Sequence, residues 1–170
     1  MKTISLLAAT LALAVTGLAQ TPDAKPSEPK FYKLEIVLKE LEAGKVVASR
    51  NYVMATAFPA NSNASVRTGD KVAVPTATGA ANSQFTYMDI GVNIDCRITS
   101  ASAAEIGLHV AADISSVADN KGSSLPPTIV QTRLNGDAIV PFRKPITVFS
   151  VDGASSKRQT QLEITATPVQ

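Results

Sequence analysis

Residues 86–98 read TYMDIGVNIDCRI, and they alternate almost without fault. Met88, Ile90, Val92, Ile94, Cys96 and Ile98 fall on one parity, and Tyr87, Asp89, Gly91, Asn93, Asp95 and Arg97 on the other. Successive side chains of a strand point to opposite faces, so a period of two over this length predicts a strand with one buried face. A second run follows, with Ile106, Leu108, Val110, Ala112 and Ile114 alternating with Gly107, His109, Ala111, Asp113 and Ser115. Thr99 to Ala104 between them is small and polar, as a hairpin loop should be. The two runs are expected to form a long central hairpin (86–98/105–115), with Ile98 facing Ile106, Cys96 facing Leu108 and Ile94 facing Val110. A one-residue slip would turn one strand's whole apolar set toward water.

Working outward, the same punctuation recurs. Tyr32, Leu34, Ile36 and Leu38 alternate with Lys33, Glu35 and Lys39, which predicts a half-exposed strand. Leu34, Val37, Leu38 and Leu41 also share a helical face. A strand is preferred, because Glu42-Ala43-Gly44-Lys45 has turn chemistry and Val46 to Phe58 resumes extended character. Pro59 to Asn63 is expected to be a loop. Ser65 to Pro75 is expected to fold as a tight hairpin about Thr68-Gly69-Asp70, with Val66, Val72 and Val74 inward. Thr76 to Ser83 and Ala118 to Pro127 are loops rich in small residues. Thr128 to Leu134 is a strand, Asn135-Gly136-Asp137 a turn and Ala138 to Val140 a short return. Pro145 to Val151 and Gln159 to Thr167 make a last pair. The fold class expected is all-β: a single β-sandwich, or partly open barrel-like domain, of short antiparallel strands around the central hairpin.

The N-terminus differs in kind. A short basic start at Met1-Lys2-Thr3 precedes an apolar run from Ile4 to Val15, and small residues at Gly17 and Ala19 precede Gln20. This three-part pattern predicts a signal peptide over 1–19, too short for a membrane-spanning helix. No cysteine follows the apolar run, which argues against a lipid anchor. Residues 20–30, with three prolines and little to bury, read as a flexible Pro-rich leader, and 31–170 as the folded domain. The mature chain of about 150 residues suits one domain. It is expected to be exported: periplasmic, outer-membrane-associated or extracellular.

Composition excludes several function classes. The 16 basic residues against 14 acidic ones never cluster, so the footprint of a nucleic-acid binder is missing. One cysteine, Cys96, cannot form an internal disulfide, and its parity places it in the core. No Gly-x-Ser-x-Gly elbow exists, and the single histidine, His109, sits mid-strand, so no catalytic triad is expected. Gly44-Lys45 lacks the flanking residues of a phosphate loop. A metal site would need His109, Asp95 and Asp113 as ligands. In the expected register Asp95 lies opposite His109, and a half-solvated sheet face accounts for these residues without a metal. Asn63-Ala64-Ser65 fits the glycosylation sequon. No catalytic residue, cofactor or metal ligand is assigned, and no enzymatic activity is expected.

Val66-Arg67-Thr68-Gly69-Asp70-Lys71-Val72-Ala73-Val74-Pro75 resembles the segment before the long hairpin of the C-terminal secretin domain. Tyr87-Met88-Asp89-Ile90-Gly91-Val92 is similar to that family's aromatic-x-Asp-x-Gly-Val/Leu element. Ser115-Ser116, then Pro127-Thr128-Ile129 and Gln131-Thr132-Arg133, follow the order of its Ser-Ser and Pro-x-Ile-x-x-Arg elements. The resemblance covers roughly Val46 to Thr167. Secretins form multimeric outer-membrane pores for type II and III secretion and type IV pili. Here only the Pro-rich leader precedes the domain, and Phe149-Ser150 replaces the family's glycine pair. The resemblance therefore implies a stand-alone secretin-like domain that acts through protein contacts: with itself, or with other envelope proteins, along β edges. Ile90 to Ile98 nears the length of a tilted spanning strand, but the sparse aromatics supply no interfacial girdle, so stable membrane insertion is not expected. The competing class is a small-ligand or glycan-binding β-sandwich using the loops 76–83 and 118–127.

Overall fold

A computed structural model describes residues 28–77, 84–118, 128–153 and 158–169. The expected signal peptide, most of the leader and the greater part of the two soft loops lie outside the described residues. Eight strands follow in chain order: β1 (Lys30–Glu42), β2 (Lys45–Phe58), β3 (Asn63–Ala77), β4 (Gln84–Ala101), β5 (Glu105–Val117), β6 (Ile129–Pro141), β7 (Ile146–Asp152) and β8 (Arg158–Val169). They form two four-stranded antiparallel sheets, ordered β2-β1-β8-β7 and β3-β4-β5-β6. The sheets face each other as a sandwich and do not close into a barrel. Most strands are long rather than short, β4 reaching 18 residues.

The core lies where the inward parity of each strand meets the opposite sheet. Leu34, Ile36, Leu162 and Ile164 from the first sheet pack against Val92, Ile94, Ile106, Leu108 and Val110 from the second, all fully buried. The outward parity of β1 is half-exposed and charged, with Lys39 paired to Glu163 on β8 at 2.6 Å. Alternation alone therefore explains the burial of this sheet. Tyr32 stacks on Phe142 at one end of the core, with ring centroids 5.8 Å apart. The buried Thr56 hydroxyl donates to the Asn61 carbonyl at 2.9 Å, satisfying it inside the corner between β2 and β3. Ala43 and Gly44, both at positive φ, make the two-residue turn between β1 and β2.

Three expectations are corrected. The central hairpin pairs Ile98 with Leu108, Cys96 with Val110 and Ile94 with Ala112, two residues away from the expected register. A two-residue slip keeps every apolar residue on its face, so the hydrophobic pattern could not detect it. The turn decides the register. β4 continues through an irregularity between Ile98 and Ser100 as far as Ala101, and Ser102 Oγ accepts from the Ala104 and Glu105 amides. Next, Thr68-Gly69-Asp70 is not a hairpin tip: β3 runs straight through it, with Gly69 opposite Gly91. Last, Asn135-Gly136-Asp137 lies inside the continuous strand β6. A Cβ on Gly136 would come within 3.3 Å of the Phe149 ring on β7, so this glycine makes room for the opposite sheet rather than a turn.

Candidate functional site

Two features of the second sheet stand apart from the core. The first is its outward face, where polar groups neutralise one another across strands. Arg67 on β3 donates two bonds to the Asp95 carboxylate on β4, at 2.7 and 2.8 Å. Asp113 on β5 accepts from Gln131 at 2.8 and 3.0 Å and from Arg133 at 3.1 Å, both on β6. His109 Nδ1 lies 2.8 Å from the Asp137 carboxylate. The register places His109 opposite Arg97, not Asp95, which corrects the expected Asp95–His109 pair. His109, Asp95 and Asp113 thus each hold a different partner. Among the described residues no group of three His, Cys, Asp or Glu side chains could hold a metal ion. An open hollow of about 510 Å³ lies on this face, lined by Asn63, Ser65, Asp95, Arg97 and His109. It offers hydrogen-bonding groups. Cys96 points the other way, into the core, where burial and then the Asp95 carboxylate push its thiol up to about 12. Such a thiol is inert at neutral pH.

The second feature is the place where this sheet divides. Val92 and Ile114 are the last main-chain partners of β4 and β5. Beyond them β3 pairs with β4 alone, out to Ala77 and Gln84, and β5 pairs with β6 alone, out to Val117 and Ile129. Gly69 and Gly91 face each other at the division, so closely that a Cβ on Gly91 would lie 2.1 Å from the Thr68 carbonyl oxygen. Gly91 has φ of 150°, a conformation that side chains resist. The Gly91 amide donates to Ser115 Oγ at 3.0 Å. A notch of about 300 Å³ opens there, lined by Thr68, Gly69, Gly91, Asn93 and Ser115 among others. The Gly-Asp, Asp-x-Gly-Val and Ser-Ser elements singled out in the sequence therefore meet at one point. Past it the β3–β4 ribbon exposes Phe85, Tyr87 and Met88, and the β5–β6 ribbon exposes Val117 and Val130. Sequence patterning placed Met88 with the buried parity, whereas here it is exposed like its outward neighbour Tyr87.

No family model matches the chain, and no curated protein matches its sequence. Solved structures do match. The cryo-EM structure of InvG, the secretin of the Salmonella SPI-1 type III secretion injectisome, superposes with a TM-score of 0.54 at 10% identity, over 84% of this chain and 64% of the InvG chain. A chain of the Salmonella SPI-1 basal body of InvG, PrgH and PrgK matches with the same TM-score and identity, over 84% of this chain and 45% of its own. The type II secretin GspD of enteropathogenic Escherichia coli matches at a TM-score of 0.48 and 8% identity, over 84% of this chain and 68% of that one. This chain thus spans less than two thirds of the InvG chain in the first of these structures. Two four-stranded antiparallel sheets, joined in this order and drawn out into paired ribbons at one end, give the chain a secretin-like β fold.

Proposed function

We propose that the chain is a non-catalytic, exported component of the cell envelope that works through protein–protein contacts, in the service of secretion or pilus assembly. The observation that carries this is the superposition on the InvG secretin across 84% of the chain. The edges of the second sheet support it. β3 and β6 bound that sheet and run antiparallel to each other, so β6 of one copy can continue the sheet against β3 of the next. Repetition of such a head-to-tail contact builds a ring or a filament, according to whether the rotation closes. Ile139 on β6 is 65% exposed and would lie at that seam. The polar outward face, already neutralised pair by pair, suits a wall that faces water.

Light scattering after size separation of the mature protein, with and without detergent, tests this. Assemblies larger than a monomer are expected, reduced in size by Ile139→Lys. A monomer that stays monomeric at all concentrations in both conditions would remove the proposal.

A further inference from the structure

Gly91 and Ser115 occupy the position where the β4–β5 ladder should add its next pair. The pairing runs Asn93 to Asp113 and Val92 to Ile114, so Gly91 and Ser115 come next, yet the main chains do not pair. The Ser115 side chain fills the gap. Its Oγ accepts from the Gly91 amide at 3.0 Å and reaches toward the Gly91 carbonyl at 3.5 Å, contacting both polar groups of one residue as a main-chain partner would. The two strands are therefore already one side-chain length apart at this point. On its other side Gly91 faces Gly69, where the main chains of β3 and β4 approach so closely that neither position admits a Cβ.

We propose that Ser115 is a latch: its hydroxyl fixes where the second sheet divides and holds the β3–β4 ribbon close to the β5–β6 ribbon. With the hydroxyl in place, Gly91 is tied to β5. Without it, the division moves to Val92 and the β3–β4 ribbon swings about the Gly69–Gly91 pair. Ser116, the next residue, is exposed and serves as a control at the same strand end. The latch does not depend on the proposed function, since it acts within one chain.

Amide exchange followed by NMR on Ser115→Ala, Ser115→Thr and Ser116→Ala proteins tests it. In Ser115→Ala, protection at the Gly91 amide should fall by roughly two- to tenfold, the range a net hydrogen bond of this kind supports. Protection at Ile94, Cys96 and Ile98 should not change. Ser115→Thr, which keeps the hydroxyl, and Ser116→Ala should behave as the parent protein. Spin labels at Tyr87 and Val130, diluted with unlabelled protein so that only distances within one chain are read, should give a broader distance distribution in Ser115→Ala alone. Unchanged Gly91 protection in Ser115→Ala, or an equal loss at Gly91 and at the core amides, would overturn the latch. If Ser115→Ala loosens the ribbon but the protein proves monomeric, the latch stands and the assembly proposal fails.

Discussion

Gly91 and Cys96 lie on the same strand and are held to their residue types by opposite means. Gly91 admits no side chain, because the Thr68 and Gly69 main chain fills the space a Cβ would take and φ is positive. Gly91→Val should therefore lower stability by about 1–3 kcal/mol, read as a fall in the urea midpoint, or else unpair the ribbon locally. Cys96 is enclosed by the core. Its thiol should resist thiol reagents in the native protein at pH 8 and react once the chain is unfolded in urea. The pH dependence has a definite sign. In the unfolded chain the thiol loses its proton near its ordinary value of 9.0, whereas the folded thiol holds it until about 12. Between those values the folded state binds more protons, so stability is complete below the window and declines as pH rises through it. Denaturation in urea from pH 8 to 11 should show a shallower decline for Cys96→Ala than for the parent protein. His109, joined to Asp137 on an exposed face, should contribute under ~1 kcal/mol.

The strands divide into a covered part and an uncovered part, and the division falls within single elements. On β4, Val92 to Ile98 carries the buried parity, yet Met88, on that same parity, is 43% exposed because the first sheet does not cover it. Ile94→Ala should cost about 2–5 kcal/mol, since it leaves a cavity in a close-packed core. Met88→Ala should stay within ~0.5 kcal/mol. Urea denaturation of both variants checks the contrast, and equal losses would mean that the ribbon is covered in solution. Patterning found β1, β2, the central hairpin and the β7–β8 pair, because each extended run stands between recognisable turns. It broke β3 and β6 at Gly69 and Gly136, where glycine answers a facing strand and a facing ring rather than a turn. The polar face was legible as a face. Its partners were not: Arg67–Asp95 and His109–Asp137 depend on which strands are neighbours and on a register that slipped by two residues.

At the scale of the whole molecule, β1 and β8 pair along their full length, so the two ends of the folded domain are bound to each other in one sheet. Lys30 and Val169 therefore lie at the same end of the first sheet, beside the turn of the central hairpin, where Ala104 accepts from the Phe142 amide. The ribbons project from the other end of the second sheet. An exported chain should lose its first 19 residues, and intact-mass measurement of protein taken from the cell envelope should place the mature N-terminus at Gln20. A retained Met1 in that material would count against export by a cleaved signal.

Alternation along 86–115 by itself determined the buried face of the central strands and the burial of Cys96, because side-chain direction in a strand follows residue parity, and extended runs broken by Gly, Pro and Asn determined an all-β chain. Tertiary structure alone decided which strands are neighbours, where the hairpin register settles, and that Gly69, Gly91 and Ser115 meet where the second sheet divides. Those are contacts between residues far apart in the chain. A local pattern carries the direction of a side chain, but not the identity of what it meets.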